Sequence, residues 1–241
     1  MNLNLVLPFF STIVMAVFVV SVLHRYFVRR SAFFLFWGIG LAMFGVGSFA
    51  EAYLAVLPFN AFIFFIWYVF GAALNAAWIG QGTVMLLARR PWVRWLTSGL
   101  LIAGSLVVIA VWFSMALDAS RAIPGEPVSL WYRNVMPPDA AVRKLTPIFN
   151  IYGLVTLAGG AIWSGYLFWR KRVLPNRVIG NVLIAVGALA IGSASTLTRF
   201  GIGEYLYMGE LLAATLMYVG FRQAGAPAPA AKRQEAAAQA R

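Results

Sequence analysis

Three carboxylates and one guanidinium occur in stretches of the sequence that are otherwise apolar. The carboxylates are Glu51, Glu204 and Glu210, and the guanidinium is that of Arg199. Ionisable groups in such stretches are costly to bury and usually face a protein interior, where they hold a ligand, a proton or one another. Tyr207 precedes Glu210 by three residues and shares its helix face, so its hydroxyl or ring could contact a bound cation. These five residues form the candidate ligand or proton site.

The depth of these groups follows from the helical rise of about 1.5 Å per residue. Glu51 lies about 31 Å beyond Arg30, at the outer boundary of a hydrocarbon core of about 30 Å. Arg199 lies at the same level, whereas Glu210, about 18 Å from Arg222, lies inside the core. Two interpretations stay open. Arg199 forms a buried ion pair that locks the last two helices together, or the group binds a ligand amine, a cation or a proton.

Four amide side chains also fall within apolar stretches. They are Asn75, Gln81, Asn150 and Asn181. Such residues usually face neighbouring helices and form interhelical hydrogen bonds. We therefore expect them on an interior polar face, with helix packing as their main role.

Several kinds of chemistry are excluded by residue type. The sequence has no cysteine and one histidine, His24, so we expect no thiolate or haem site, no metal and no other cofactor. The lysines Lys144, Lys171 and Lys232 lie outside the apolar stretches, which argues against a retinal Schiff base. No nucleophile and base occur together in a recognisable pattern, so we do not expect an enzyme.

The apolar stretches that position these groups predict the fold class. The chain has 241 residues, of which 62% are hydrophobic and 11% charged, and its mean hydropathy is +0.82. A soluble domain is about a quarter charged. The sequence therefore predicts an all-α integral membrane protein, a seven-transmembrane-helix bundle within residues 1–222. The seven spans are 5–26, 31–54, 60–87, 93–117, 146–169, 178–199 and 203–222.

Basic residues between the spans predict the orientation. With the N-terminus outside, the four inner segments hold three, three, four and four of the 19 Lys and Arg residues. The outer segments hold the other five. Because cytoplasmic segments are enriched in Lys and Arg, we expect the N-terminus outside and the C-terminus inside. The formal charge of +12 then reflects topology rather than nucleic-acid binding. The Ala- and Pro-rich tail, 223–241, is expected to be disordered and cytoplasmic.

The one long loop, 118–145, is expected on the outer side. Its four prolines prevent it from forming a single helix. Its Trp131-Tyr132 pair could anchor the loop at the membrane surface or cap the helix bundle. The first interpretation makes the loop an interfacial anchor, and the second makes it a lid over an outer pocket.

Glu51 near the end of the second span, with Trp67, Gly71 and Trp78 in the third, forms a pattern with a known counterpart. Over about residues 31–90 it resembles the seven-helix N-terminal sensor region of bacterial membrane histidine kinases. The sequence departs from that family at Asn75, where a proline is common. The resemblance implies a sensor module. Because the tail is too short for a kinase domain, its output would pass through a partner.

We therefore expect a bacterial inner-membrane protein that acts in signalling as a sensor-like or partner-binding module, with a ligand pocket in its outer half. Its expected partners are the lipid bilayer, a small-molecule ligand and a membrane or cytoplasmic protein, but no nucleic acid. Two alternatives stay open. One is a small solute or cation/proton-coupled transporter, and the other is a structural subunit of a membrane complex.

The predicted topology can be tested with reporter fusions. Fusions after Arg30, Ser120, Arg172 and Arg222 should report inside, outside, inside and inside, because basic segments remain cytoplasmic. An outside signal at Arg222 would contradict the seven-span topology.

Overall fold

Helices form almost the whole of the described chain. The computed structural model describes residues 3–171, 175–203 and 205–226, and these residues contain no strand. A π-helical segment, Ile66–Leu74, joins α3 to α4, so that Ala61–Leu87 is one continuous rod. The α-helices are α1 (Leu3–Arg29), α2 (Ala32–Val56), α3 (Ala61–Phe65), α4 (Asn75–Leu87), α5 (Pro91–Trp112), α6 (Val128–Val135), α7 (Ala141–Arg170), α8 (Pro175–Arg199) and α9 (Leu206–Ala224).

Within the described residues, six helical rods are long and apolar enough to cross a membrane. They are α1, α2, the rod Ala61–Leu87, α5, α7 and α8. The chain thus fits a multi-pass membrane protein, as the composition predicts. The last predicted span corresponds to α9, which is not among the six and which contains Glu210, Arg222 and Gln223. A count of seven spans therefore stays a prediction.

The main helices pack as a closed ring. Each helix contacts the next in the order α1, α2, α4, α7, α8 and α9, and α9 returns to α1. Helix α5 lies at the edge of this ring, against α4, α7 and the π-helical segment. We use "loop end" for the end of the ring that carries residues 113–140, and "basic end" for the opposite end, which carries Arg29, Arg30, Arg89, Arg90 and Arg170.

Close approach between neighbouring helices of the ring depends on glycine. Gly47 of α2 faces Gly71 of the π-helical segment so closely that a Cβ on Gly71 would lie 2.8 Å from the Gly47 Cα. Gly153 of α7 packs in the same way against the backbone of Ala76 in α4. Small residues allow the backbones of membrane helices to approach each other closely, so these contacts fix α2 and α7 on either side of the rod.

Two side-chain amides donate hydrogen bonds to carbonyl groups of the π-helical segment. The Asn75 amide donates to the Gly71 carbonyl at 2.6 Å. The Asn150 amide, from α7, donates to the Ala72 carbonyl at 3.1 Å. Short π-helical segments inside α-helices often occur at functional sites. Here the segment carries Trp67 and Tyr68.

Aromatic side chains close the loop end of the ring. Trp131 of α6 stacks on Phe64 with ring centroids 5.9 Å apart, and Phe64 also contacts Trp67 and Trp112. Trp131 is only 2% exposed. The interpretation of Trp131 as an interfacial anchor is therefore wrong. The residue caps the bundle, since its indole is buried against other side chains, among them that of Phe64.

The segment 118–145 is more ordered than a loop without helices. It contains the 3₁₀ turn Ala119–Arg121, α6 and the first residues of α7, while the span predicted at 93–117 is helical only to Trp112. Asp118 anchors the turn through a salt bridge to Arg121 at 2.8 Å. The hydroxyl of Ser120, which donates to Asp118, lowers the pKa of that carboxyl.

The glycine contact predicts the effect of adding one methyl group. Gly47→Ala should lower the free energy of unfolding by about 1–3 kcal/mol, because the new Cβ would overlap the Gly71 backbone. Gly99→Ala is the matched control, since a Cβ there would meet nothing within 4 Å. It should be neutral or stabilise α5 by up to about 1 kcal/mol. Unfolding by SDS in mixed micelles measures both, and equal effects would contradict the packing.

Candidate functional site

Two buried glutamates meet inside the ring. Glu51 comes from α2 and is 4% exposed, and Glu210 comes from α9 and is 8% exposed. Their carboxyl groups lie within hydrogen-bonding reach of each other. The indole N–H of Trp67 donates to Glu51 Oε1 at 2.7 Å. We call Glu51 and Glu210 the carboxyl pair.

The carboxyl pair has incomplete hydrogen bonding. The Oε2 atoms of Glu51 and Glu210 are both buried, and neither accepts a hydrogen bond from a described residue. Two carboxyl groups can bond to each other only if one of them carries a proton. Two adjacent carboxylates that were both charged would repel strongly at a buried position. The pair therefore needs a shared proton or a donor supplied by a ligand.

The pair corrects the predicted depth of Glu210. The Cζ of Arg25 lies 4.1 Å from the centroid of the Phe221 ring, so Arg222 is level with Arg25 rather than with Arg30. The five residues from Arg25 to Arg30 correspond to about 7.5 Å of helix. The predicted depth of Glu210 was measured from Arg222, and that of Glu51 from Arg30. The first starting point lies about 7.5 Å nearer the loop end than the second. The predicted separation in depth between Glu210 and Glu51 is wrong.

A cavity of about 480 Å³ adjoins the carboxyl pair. Its volume is typical of a site for a small molecule. Glu51 and Glu210 line it together with the aromatic side chains of Trp67, Tyr68 and Tyr132. Apolar side chains, those of Phe44, Ile79, Leu157 and Met217, line the part of the cavity that lies toward the basic end.

Arginine side chains line the cavity toward the loop end. Arg199 is half-buried and lies there with Arg133 and Arg143. The one salt bridge within the described residues joins Asp118 to Arg121, so the expected ion pair between Arg199 and a glutamate is not formed with either member of the carboxyl pair. Glu204, the remaining candidate, lies outside the described residues.

Tyr207 occupies a different place from the predicted one. Its side chain is 1% exposed, and its hydroxyl accepts a hydrogen bond from the backbone N–H of Ser129 at 3.1 Å. The residue is not among those that line the cavity. Its hydroxyl ties α9 to α6.

The four predicted interior amides do not form one face. Asn75 and Asn150 line the cavity. Gln81 lies in a separate buried network, where it donates to Thr97 and Ser98 at 2.9 and 2.8 Å and accepts from Tyr152. The Asn181 amide donates to the Arg177 carbonyl of its own helix at 2.8 Å. Packing thus explains Gln81, and local helix bonding explains Asn181.

Several residues of the site are absent from the sequence prediction. The resemblance to sensor regions includes Trp67, but it does not identify Glu51 as the hydrogen-bond partner of Trp67. Tyr132 and Arg133 lie in α6 and Arg143 lies in the first turn of α7. All three belong to the predicted loop 118–145, where the sequence contains no periodic pattern that would direct them inward. Their positions depend on how α6 folds back over the ring.

No protein-family model matches the sequence, and no solved structure matches the chain significantly. Among the described residues, no group of three or more His, Asp or Glu side chains could hold a metal ion. The function must therefore be inferred from the cavity and its side chains.

The hydrogen bond from Trp67 predicts a stability effect. Trp67→Phe keeps an aromatic ring but leaves Glu51 without its indole donor, so it should lower the free energy of unfolding by about 1–3 kcal/mol. Trp95→Phe, at a residue that is 68% exposed, is the control and should cost less than about 0.5 kcal/mol. If the two variants unfold alike in SDS titrations, Trp67 does not support the carboxyl pair.

Proposed function

We propose that this protein is a sensor-like module of the bacterial inner membrane that binds a small ligand in the cavity beside the carboxyl pair. The observation that carries the proposal is the presence of two buried, unsatisfied carboxyl oxygens beside a cavity of about 480 Å³. Buried polar groups without partners are rare in folded proteins. With a ligand in the cavity, Glu51 and Glu210 are satisfied either by a proton that they share or by a donor group of the ligand.

In this proposal the N-terminus and the loop end face the outside, following the distribution of basic residues. Helix α6 then acts as a lid over the outer part of the cavity. Its aromatic residue Tyr132 and its arginine Arg133 line the cavity directly. A ligand beneath α6 would therefore contact both the lid and the ring.

The contacts of α6 supply a route by which binding can alter the bundle. Tyr207 lies one turn before Glu210 on α9 and accepts from the backbone of Ser129 in α6. Arg133 of α6 donates to the backbone carbonyl of Arg199 at the end of α8. A ligand that shifts Glu210 would thus act on α9, α6 and α8 together. We propose that the basic end passes this change to a partner protein.

Proton-coupled transport is the second candidate function. One observation favours it: the carboxyl pair requires a shared proton when no ligand supplies a donor. Apolar side chains, however, line the cavity between the pair and the basic end. Proton flux that depends on an added solute in proteoliposomes would favour transport over sensing.

A thermal-shift screen of small molecules on the purified protein tests the binding proposal. At 100 times its dissociation constant, a true ligand should stabilise the protein by about 2.7 kcal/mol. Glu210→Gln should fold, since the amide is isosteric with the protonated acid, but should lose most of that stabilisation. Glu126→Gln, at an exposed carboxyl in the loop, is the control and should retain it.

The result contradicts the proposal if every stabilising compound acts equally on wild type, Glu51→Gln and Glu210→Gln. Such compounds would bind elsewhere on the protein. The carboxyl pair would then be a structural contact between α2 and α9.

A further inference from the structure

The cavity opens on the side of the ring. Of the described residues that line it, only Ile151 and Thr196 are exposed, and Ile151 is exposed by 63%. Ile151 belongs to α7 and Thr196 to α8. Farther toward the basic end, Leu154 packs against Gly192 and closes the space between the two helices. The opening therefore lies between α7 and α8, in the half of the ring nearer the loop end.

The surface around this opening is apolar. Ile148 and Val155 of α7 are exposed by 62% and 64%, and Leu197 of α8 is exposed by 39%. Both helices are long and apolar enough to cross a membrane. Such a surface faces lipid chains rather than water when the protein lies in a bilayer. A molecule that enters between α7 and α8 would come from the lipid.

The charges that line the cavity favour an anion. Three arginines, Arg133, Arg143 and Arg199, are among the residues that line it. The carboxyl pair carries a single negative charge when its members share one proton. The lining is then net positive. Arg133 donates to two backbone carbonyls of α8, and Arg143 donates to one, that of Pro137. Arg199 and the remaining N–H groups of Arg143 are therefore the better placed to hold an anionic group.

We propose that the ligand is a single-chain anionic amphiphile of the fatty-acid type, which enters sideways from the bilayer between α7 and α8. Its anionic group would lie against Arg143 and Arg199. Its chain would extend past the carboxyl pair to the apolar residues that line the cavity toward the basic end, among them Phe44 and Met217. This inference rests on the proposed function of the cavity.

The test uses the full chain in nanodiscs of a neutral phospholipid, with stearate and methyl stearate as probes and native mass spectrometry to count bound molecules. One stearate should bind per protein in a saturable manner. Methyl stearate, which lacks the charge, should bind about tenfold more weakly or worse. Equal binding of the two probes would show partition into apolar surface and would overturn the proposal.

Arginine variants test the site of the anionic group. Arg199→Gln should weaken stearate binding about tenfold, because a charge-assisted hydrogen bond is lost. Arg143→Gln serves as a second variant should the first fail to fold. Arg121 lies at the loop end but is not among the residues that line the cavity. Arg121→Gln is therefore the control and should bind stearate like wild type. Unchanged binding in both Arg199→Gln and Arg143→Gln would overturn the assignment.

Two exposed positions on α8 test the route of entry. Thr196→Phe should obstruct the opening and slow stearate uptake about tenfold or more. Leu189→Phe, farther toward the basic end and not among the residues that line the cavity, should not. Equal rates in the two variants would overturn entry between α7 and α8.

The same measurements separate this inference from the function on which it rests. If stearate does not bind, but a water-soluble compound stabilises the protein in a manner that depends on Glu210, the cavity is a receptor for another ligand class and the lipid assignment falls. If no compound of either kind binds, both proposals fall.

Discussion

The contact between Glu51 and Glu210 is the interaction on which the rest of the site depends. Burying one carboxyl group is costly, and burying two side by side is affordable only when a proton or a ligand offsets their repulsion. The pair joins α2 to α9, two helices that the ring order separates by α1. A change in what the pair binds would therefore act on both α2 and α9, which lie on the two sides of α1.

The surrounding fold holds this contact in place by close packing. Trp67 orients Glu51, and the π-helical segment that carries Trp67 lies against α2 at Gly47 and Gly71. Asn150 satisfies a carbonyl of the same segment from the opposite side. The cavity thus has walls made from closely packed backbones and from a short α6 held by Ser129 and Arg133.

Much of the fold can be predicted from the sequence because long apolar stretches admit only helices in a membrane. The inward, buried position of Glu51 and Glu210 was also predictable, since a carboxylate in such a stretch is costly to expose to lipid. The contact between the two glutamates was not predictable. The helical rise gives distances along one helix, but it does not give the height of one helix relative to another. The sequence left the position of Trp131 open between two interpretations, because an aromatic residue beside a membrane surface and one that caps a bundle have the same sequence pattern.

A double-mutant cycle between Glu51→Gln and Glu210→Gln tests the contact most directly. Free energies of unfolding in mixed micelles would be measured for wild type, both single variants and the double variant. Contacting residues show interaction energies of about 0.5–3 kcal/mol, and this arrangement predicts a value in that range. Additive effects, within about 0.3–0.5 kcal/mol, would contradict it, since they would mean that the two carboxyl groups do not meet.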